Sequence, residues 1–302
     1  MISKIPVFSV VITSFNDGVF INEAIESVKK SSFEDFEIIL VDDCSTDGAT
    51  REILDLVSSQ NITVIRKDKN LGVGDSRNKG VDMAKGKYIL TLDADDRILP
   101  AYLEKAKREL DNGASVVYCN VKRFGAKDDV RVAPAFSFPI LLAGNFIASC
   151  SAFTKSVWEK SGGFDVAMPN YEDWEFWISV AETGAKFSHL NEILFEYRAK
   201  KTSKISKAVD PNHRANVVRY VCDKHIESYK IHAPEIVPYL HKVISSLETD
   251  LQNQASLIQG GDISGLINKL KFAEDELTRR TEYYENSFFW KLKKISDKLT
   301  GK

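Results

Sequence analysis

The sequence has little of what would place it in several common classes. Its four cysteines, Cys44, Cys119, Cys150 and Cys222, stand far apart with no CxxC pair. They imply neither a zinc site nor a disulfide framework and fit reduced thiols in a cytosolic protein. The five histidines form no ligand set by spacing. A net charge of −2 gives no electrostatic footprint of a general nucleic-acid or membrane binder, so no nucleic-acid partner is expected. No apolar run approaches the roughly 18–20 residues of a membrane span. The opening residues, MISKIPVFSVVITSFND, show no secretory pattern and run straight into a strand-like stretch. A cytoplasmic location is expected, with any membrane contact made from the side.

What is present is a core-forming chain of 302 residues, 43% hydrophobic and 28% charged, long enough for one large or two ordinary domains. Val7–Thr13 and Phe36–Val41 are continuous apolar, β-branched runs of the kind buried on both faces of a parallel sheet. Val19–Lys30 follows the first, with Val19, Ile21, Ala24, Ile25 and Val28 near helical spacing. A helix over 49–59, a short strand over 62–65, a glycine-rich loop over 70–80 leading into a helix through Ala84, a strand over 88–92, a helix over 101–110 and a strand over 116–119 continue the alternation. That rhythm predicts an α/β fold with an open, mostly parallel sheet and helices on both faces. Ligands in such sheets bind beyond the carboxyl ends of the strands. Thr13, Asp42-Asp43 and the acidic run Asp93, Asp95 and Asp96 each follow a strand, so all three should line one rim.

The run Lys87–Pro100, KYILTLDADDRILP, is the centre of the pattern. Residues two apart face one way in an extended chain, so Asp93 and Asp95 can converge. Paired hard oxygen donors suit Mg2+ or Mn2+, and such an ion suits a diphosphate; a solvated acidic turn is the plain alternative. In Gly72-Val73-Gly74-Asp75-Ser76-Arg77 the third glycine of a dinucleotide fingerprint is missing, which argues against hydride transfer. Its helix start can still offer backbone N–H groups to an anion, and Arg77 a planar cation to phosphate; a simple turn before a surface helix is the rival. Further on, PNYEDWEFWISV interleaves Glu172, Asp173 and Glu175 with bulky aromatics. Desolvation and like charge raise a carboxylate pKa, the setting of a general base, although acidic residues also favour a helix N-terminus for its own sake.

In this order the motifs VVITSFND with DFEIILVDDCSTDG, NLGVGDSRNKG, YILTLDADD, GGFD with YEDWEFW, and LFEYRAKKTSKIS resemble those of the family 2 inverting glycosyltransferases of the GT-A fold, the cell-surface polysaccharide type. The match runs from Pro6 to Ser206. The resemblance implies a catalytic domain over 1–206, with a donor half to about 120 and an acceptor half beyond. It implies that Thr13 and Asp43 contact the base of a nucleotide sugar, most often UDP-linked, with Asp42 and Gly72 in the same site and Arg77 near the phosphates or sugar. Asp93 would face the ribose and metal region, Asp95 would be the principal ligand of Mn2+ or Mg2+, and Asp173 of the Glu172-Asp173 pair would be the catalytic base. This chain departs from the pattern at two positions: Thr13 stands where Pro is frequent, and Lys200 stands where a His often follows the YR pair. A protonated lysine cannot ligate a metal but can neutralise phosphate. No QxxRW signal of a processive synthase is present. The acceptor would be a glycan or lipid-linked glycan. A catalytically silent nucleotide-sugar or glycan-binding scaffold is the rival, against which the intact Asp93, Asp95 and Asp173 speak.

Beyond Ser206 the composition turns helical. Leu240, Val243, Leu247, Leu251, Ala255 and Ile258 recur every three or four residues; after Gly260-Gly261, Ile263, Leu270, Leu277 and Tyr284 repeat every seven, as in a coiled coil mediating homo-oligomers or a helix packed on the catalytic domain. This extension is read over 207–285. Residues 286–302, NSFFWKLKKISDKLTGK, hold five lysines and one aspartate, with Phe288, Phe289, Trp290, Leu292, Ile295 and Leu299 as the greasy side, the composition of an interfacial membrane helix at the inner face of the cell membrane or of a basic solubilising terminus.

Overall fold

In the computed structural model of the chain, residues 5–58, 62–168, 170–200 and 211–257 are described. The chain divides into two compact units, Met1–Ser206 and Lys207–Lys302. The first opens with β1 (Phe8–Ser14), α1 (Gly18–Lys29), β2 (Phe36–Asp42), α2 (Gly48–Ser58), β3 (Thr63–Arg66), α3 (Val73–Met83) and β4 (Tyr88–Asp93). It continues through β5 (Arg97–Ile98), α4 (Tyr102–Asp111), β6 (Val116–Gly125), β7 (Asp129–Arg131) and α5 (Phe138–Ala143). β8 (Ala152–Thr154), α6 (Lys155–Ser161), α7 (Glu172–Glu182) and β9 (Phe187–Ala199) complete it.

The sheet runs β3-β2-β1-β4-β8-β6-β9-β5, with β7 on β6. The expected parallel part is β3-β2-β1-β4. Every residue of β1 is buried, as its unbroken apolar run requires of a central strand covered on both faces. The second half is mixed: β8 enters antiparallel between β4 and β6, and β6 pairs parallel with β9 across an irregular register. The strand expected over 116–119 runs on as β6 to Gly125, because its pairing with β9 extends that far.

Helix α1 buries Ile21, Ala24, Ile25 and Val28, while Val19, expected on the same face, is 76% exposed. The glycine-rich stretch is mostly helix rather than loop. Gly80 lets α3 lie against the sheet, since a Cβ there would fall 2.2 Å from a methyl of Val11. The second unit contains α8 (Pro211–Lys224) and α9 (Ile226–Leu257), the latter with Pro234 and Pro238 in its span. Leu247 of the apolar repeat is exposed. The repeat positions past Leu257 and the basic stretch 286–302 lie outside the described residues. Among the described residues no helix is long and apolar enough to cross a membrane.

Candidate active site

Strand register builds the rim. Thr13 of β1 stands opposite Asp93 of β4, and Ser14 opposite Asp42 of β2, so three strands end together. The Thr13 hydroxyl donates to Asp93 Oδ1 at 3.0 Å. Asp42 and Asp43 are each 4% exposed. Asp42 closes its own turn, accepting the Ser45 N–H at 3.1 Å and hydroxyl at 2.5 Å. Asp43 accepts the backbone N–H groups of Leu71 at 3.0 Å and Gly72 at 2.9 Å and pairs with Lys67 at 2.6 Å. Two N–H groups just before α3 are thus engaged by the chain's own carboxylate. Gly72, at φ 94°, adopts a backbone that side-chain-bearing residues avoid, and this is how the loop reaches Asp43.

Asp93 ends β4, and Ala94-Asp95 is a turn closed by the Asp96 N–H on the Asp93 carbonyl at 3.0 Å. The two carboxylates therefore do not share one face of an extended chain, as their spacing suggested; the turn separates their partners. Arg198 of β9 pins this turn: its Nε donates to the Asp95 carbonyl and its N–H to Asp96 Oδ1, both at 2.7 Å. Its guanidinium also pairs with Glu23 and lies over the rings of Phe20 and Phe124. The Asp95 carboxylate pairs with Lys200 at 2.8 Å, and Lys200 also holds Asp17 at 2.6 Å. Burial and then the charge of Asp93 raise the Asp95 pKa, with Lys200 opposing.

Arg77 departs most from its expected setting. Its side chain is 2% exposed, with Nη2 on Asp93 Oδ1 at 2.8 Å and Nη1 on Glu172 Oε1 at 2.5 Å. It lies 5.5 Å from the Phe164 ring centroid. A buried guanidinium must be matched by carboxylates. Burial opposes its charge, but Asp93 first and Glu172 second overcome that and raise its pKa. The sequence-predicted Thr13, Asp93, Arg77, Glu172 and Asp173 are thereby brought into one line from sheet edge to helix start.

Tyr171, in the left-handed region at φ 61° and ψ 20°, turns the chain into α7. Such a conformation costs a β-carbon residue on the order of 1 kcal/mol, and strain of this kind collects at functional positions. Asp173 is half-buried beside an aromatic packing surface in which Trp174, Phe176 and Trp177 are buried. Its carboxylate takes the Trp174 N–H at 2.8 Å and the Asn145 side-chain amide at 3.1 Å. Burial, then the neighbouring Glu172, push its pKa up to about 7, while Arg77 pulls the other way.

Asp95 offers the hard oxygens that Mg2+ or Mn2+ take, yet its Oδ2 already carries an ammonium group. Among the described residues no group of three His, Cys, Asp or Glu residues could hold an ion.

Residues 9–159 match the model of glycosyl transferase family 2. The chain belongs to that family. This glycosyltransferase is 30% identical over 203 residues to a putative teichuronic acid biosynthesis glycosyltransferase of Bacillus subtilis, covering 64% of this chain and 79% of the relative. It is 29% identical over 221 residues to an uncharacterized glycosyltransferase of Methanocaldococcus jannaschii, covering 64% of this chain and 71% of the relative. Of a Pasteurella multocida hyaluronan synthase, 28% identical over 202 residues and matched by 64% of this chain, it spans only 20%. In fold it is similar to S. aureus TarS 1-349 in complex with UDP-GlcNAc, with TM-score 0.64 and 23% identity over 76% of this chain and 71% of the TarS 1-349 chain. It also resembles a mannosyltransferase of Pyrobaculum calidifontis in complex with GDP-Man and Mn2+, with TM-score 0.60 and 19% identity over 93% of this chain and 85% of that one.

Several residues of the glycosyltransferase's charged network escaped the sequence. Arg198 stood within the LFEYRAKKTSKIS motif, as the Arg of YR, and was assigned no role. Asp17 and Asn145 gave no signal, because their partners Lys200 and Asp173 are 183 and 28 residues away.

Proposed function

We propose that this glycosyltransferase moves a sugar from a nucleotide sugar, UDP-linked, to a hydroxyl of a glycan or lipid-linked glycan with inversion at the anomeric carbon. The observation that carries this is the unequal neutralisation of the Glu172-Asp173 pair: Glu172 is paired with buried Arg77, whereas Asp173 accepts from the neutral Asn145 amide and Trp174 N–H, and burial pushes its pKa up to about 7 against the pull of Arg77. A base poised near the working pH removes a proton most effectively.

Asp173 takes the proton of the acceptor hydroxyl as the oxygen attacks the face of the sugar opposite the diphosphate. The new C–O bond forms as the anomeric bond to the diphosphate breaks, and the leaving group departs with both electrons. Thr13, Asp42, Asp43 and Gly72 form the rim for the base, Asp93 lies at the ribose, and Lys200 supplies a cation for the phosphates. When bound through Asp95 and Asp93, Mn2+ or Mg2+ supplies further positive charge to the departing diphosphate. The UDP-GlcNAc of TarS supports the donor class, the Mn2+ of the mannosyltransferase supports the ion, and the teichuronic acid relative supports a glycan acceptor. Residues 286–302 are assigned to the membrane surface where a lipid-linked acceptor would sit; truncation before Asn286 is expected to abolish liposome binding, and unchanged binding removes that assignment.

The central test is Asp173→Asn. Transfer is expected to fall by roughly 10²–10⁴-fold with UDP-sugar binding kept, read by product formation against a panel of nucleotide sugars and by calorimetry. Full transfer by the variant overturns the assignment.

A further inference from the structure

The Lys200 ammonium lies between two carboxylates, 2.8 Å from Asp95 and 2.6 Å from Asp17, and 4.8 Å from the centroid of the Phe20 ring. The three charged side chains are 20–29% exposed. The site is therefore shielded but open to an incoming ion. The turn carrying Asp95 is held independently by Arg198, through the Asp95 carbonyl and Asp96. Lys200 contributes only side-chain contacts to this cluster. Its flexible stem can leave Asp95 without unmaking the turn.

An ammonium has donors and no lone pair, so Lys200 cannot join a metal's ligand sphere. An ion bound to the same Asp95 oxygen at about 2.1 Å would stand beside a like charge. The two cations exclude each other. We propose that Lys200 is a resident cation on Asp95 that a divalent ion must displace, and that the displaced ammonium stays with Asp17 and turns to the diphosphate of the donor. The proposal rests on the nucleotide-sugar reading for its second half only. It explains why a lysine can stand where a ligand is expected: it keeps the acidic turn neutralised before the donor arrives.

The test measures Mn2+ binding to the full chain by electron paramagnetic resonance, for wild type, Lys200→Met, Lys200→Arg and Asp95→Asn. Lys200→Met, which keeps the stem and loses the charge, is expected to bind Mn2+ about tenfold more tightly than wild type, a coupling of the usual size between linked sites. Lys200→Arg is expected to stay close to wild type and Asp95→Asn to lose the ion. Equal or weaker Mn2+ binding by Lys200→Met overturns the exchange. Calorimetry with UDP in the presence of chelator reads the second half. Wild type is expected to retain weak binding and Lys200→Met to lose about fivefold or more; unchanged UDP binding overturns the transfer of the ammonium to phosphate. Failure of every form to bind UDP overturns the donor reading itself, while the Mn2+ comparison still decides the exchange at Asp95.

Discussion

The site contains two pairs of nearby carboxylates treated differently by the same arginine. At the end of β4, Arg77 takes Asp93 and leaves Asp95 to Lys200. At the start of α7 it takes Glu172 and leaves Asp173 to the neutral amide of Asn145. One pair thus presents a carboxylate already holding a lysine, the other a carboxylate held by neutral donors. Burial acts on both free members, but only Asp95 has a lysine opposing it. Sequence proximity made the pairs look alike; which partner each free carboxylate meets makes them different.

Arg77→Met cuts both pairs at once and is the most severe way to break this comparison. It leaves Asp93 and Glu172 without their buried cation and is expected to cost about 3–5 kcal/mol. Thermal unfolding should show a drop of roughly 2–4 °C per kcal/mol in a domain of this size. A cost under about 1 kcal/mol would mean that the clamp does not organise the pairs.

The pH profile of transfer sharpens the contrast next. In its proposed role as general base Asp173 acts unprotonated, and burial followed by Glu172 raises its pKa to about 7. The rate is therefore expected to fall about tenfold per pH unit below 7 and to level off above it. Residual activity in Asp173→Asn should lack that limb, and a wild-type rate flat from pH 5 to 8 would deny Asp173 the role.

A smaller effect appears in stability. Because its folded pKa lies above the ordinary 3.8, Asp173 holds a proton in the folded state that the unfolded chain has released. The wild type loses stability as pH rises from about 4 through 7. Asp173→Asn removes that penalty and should be the more stable form at pH 8. The gain is of order 1–2 kcal/mol once solvent screening of this half-buried group is allowed for, shrinking toward pH 4. Calorimetric scans at the two pH values check it. The smallest expected effect is Gly72→Ala: a Cβ there meets nothing within 4 Å, so only the positive φ is strained, at about 1 kcal/mol.

The rim was legible because it needs only strand ends. Val7–Thr13, Phe36–Val41 and Tyr88–Leu92 announce central strands through unbroken apolar runs, and polar residues after them must emerge together. The ordered motifs also carried the family. Less could be read after β4. β8 has three residues, too few to show a period, yet it sets the antiparallel switch between β4 and β6. Asp95 read as the strand partner of Asp93 because spacing cannot show where a strand gives way to a turn.

By itself the amino-acid sequence determined the strand-and-helix order, the acidic strand ends, the acidic-aromatic start of α7 and the membership in glycosyl transferase family 2. These depend on local pattern and motif order. Only the tertiary structure decided which charge meets which. Arg77 is buried on Glu172, 95 residues away, and Lys200 sits on Asp95 and Asp17. Such pairings follow from the packing of distant elements, and in a low-dielectric site they separate a carboxylate held by an arginine from one whose hydrogen-bond donors are neutral.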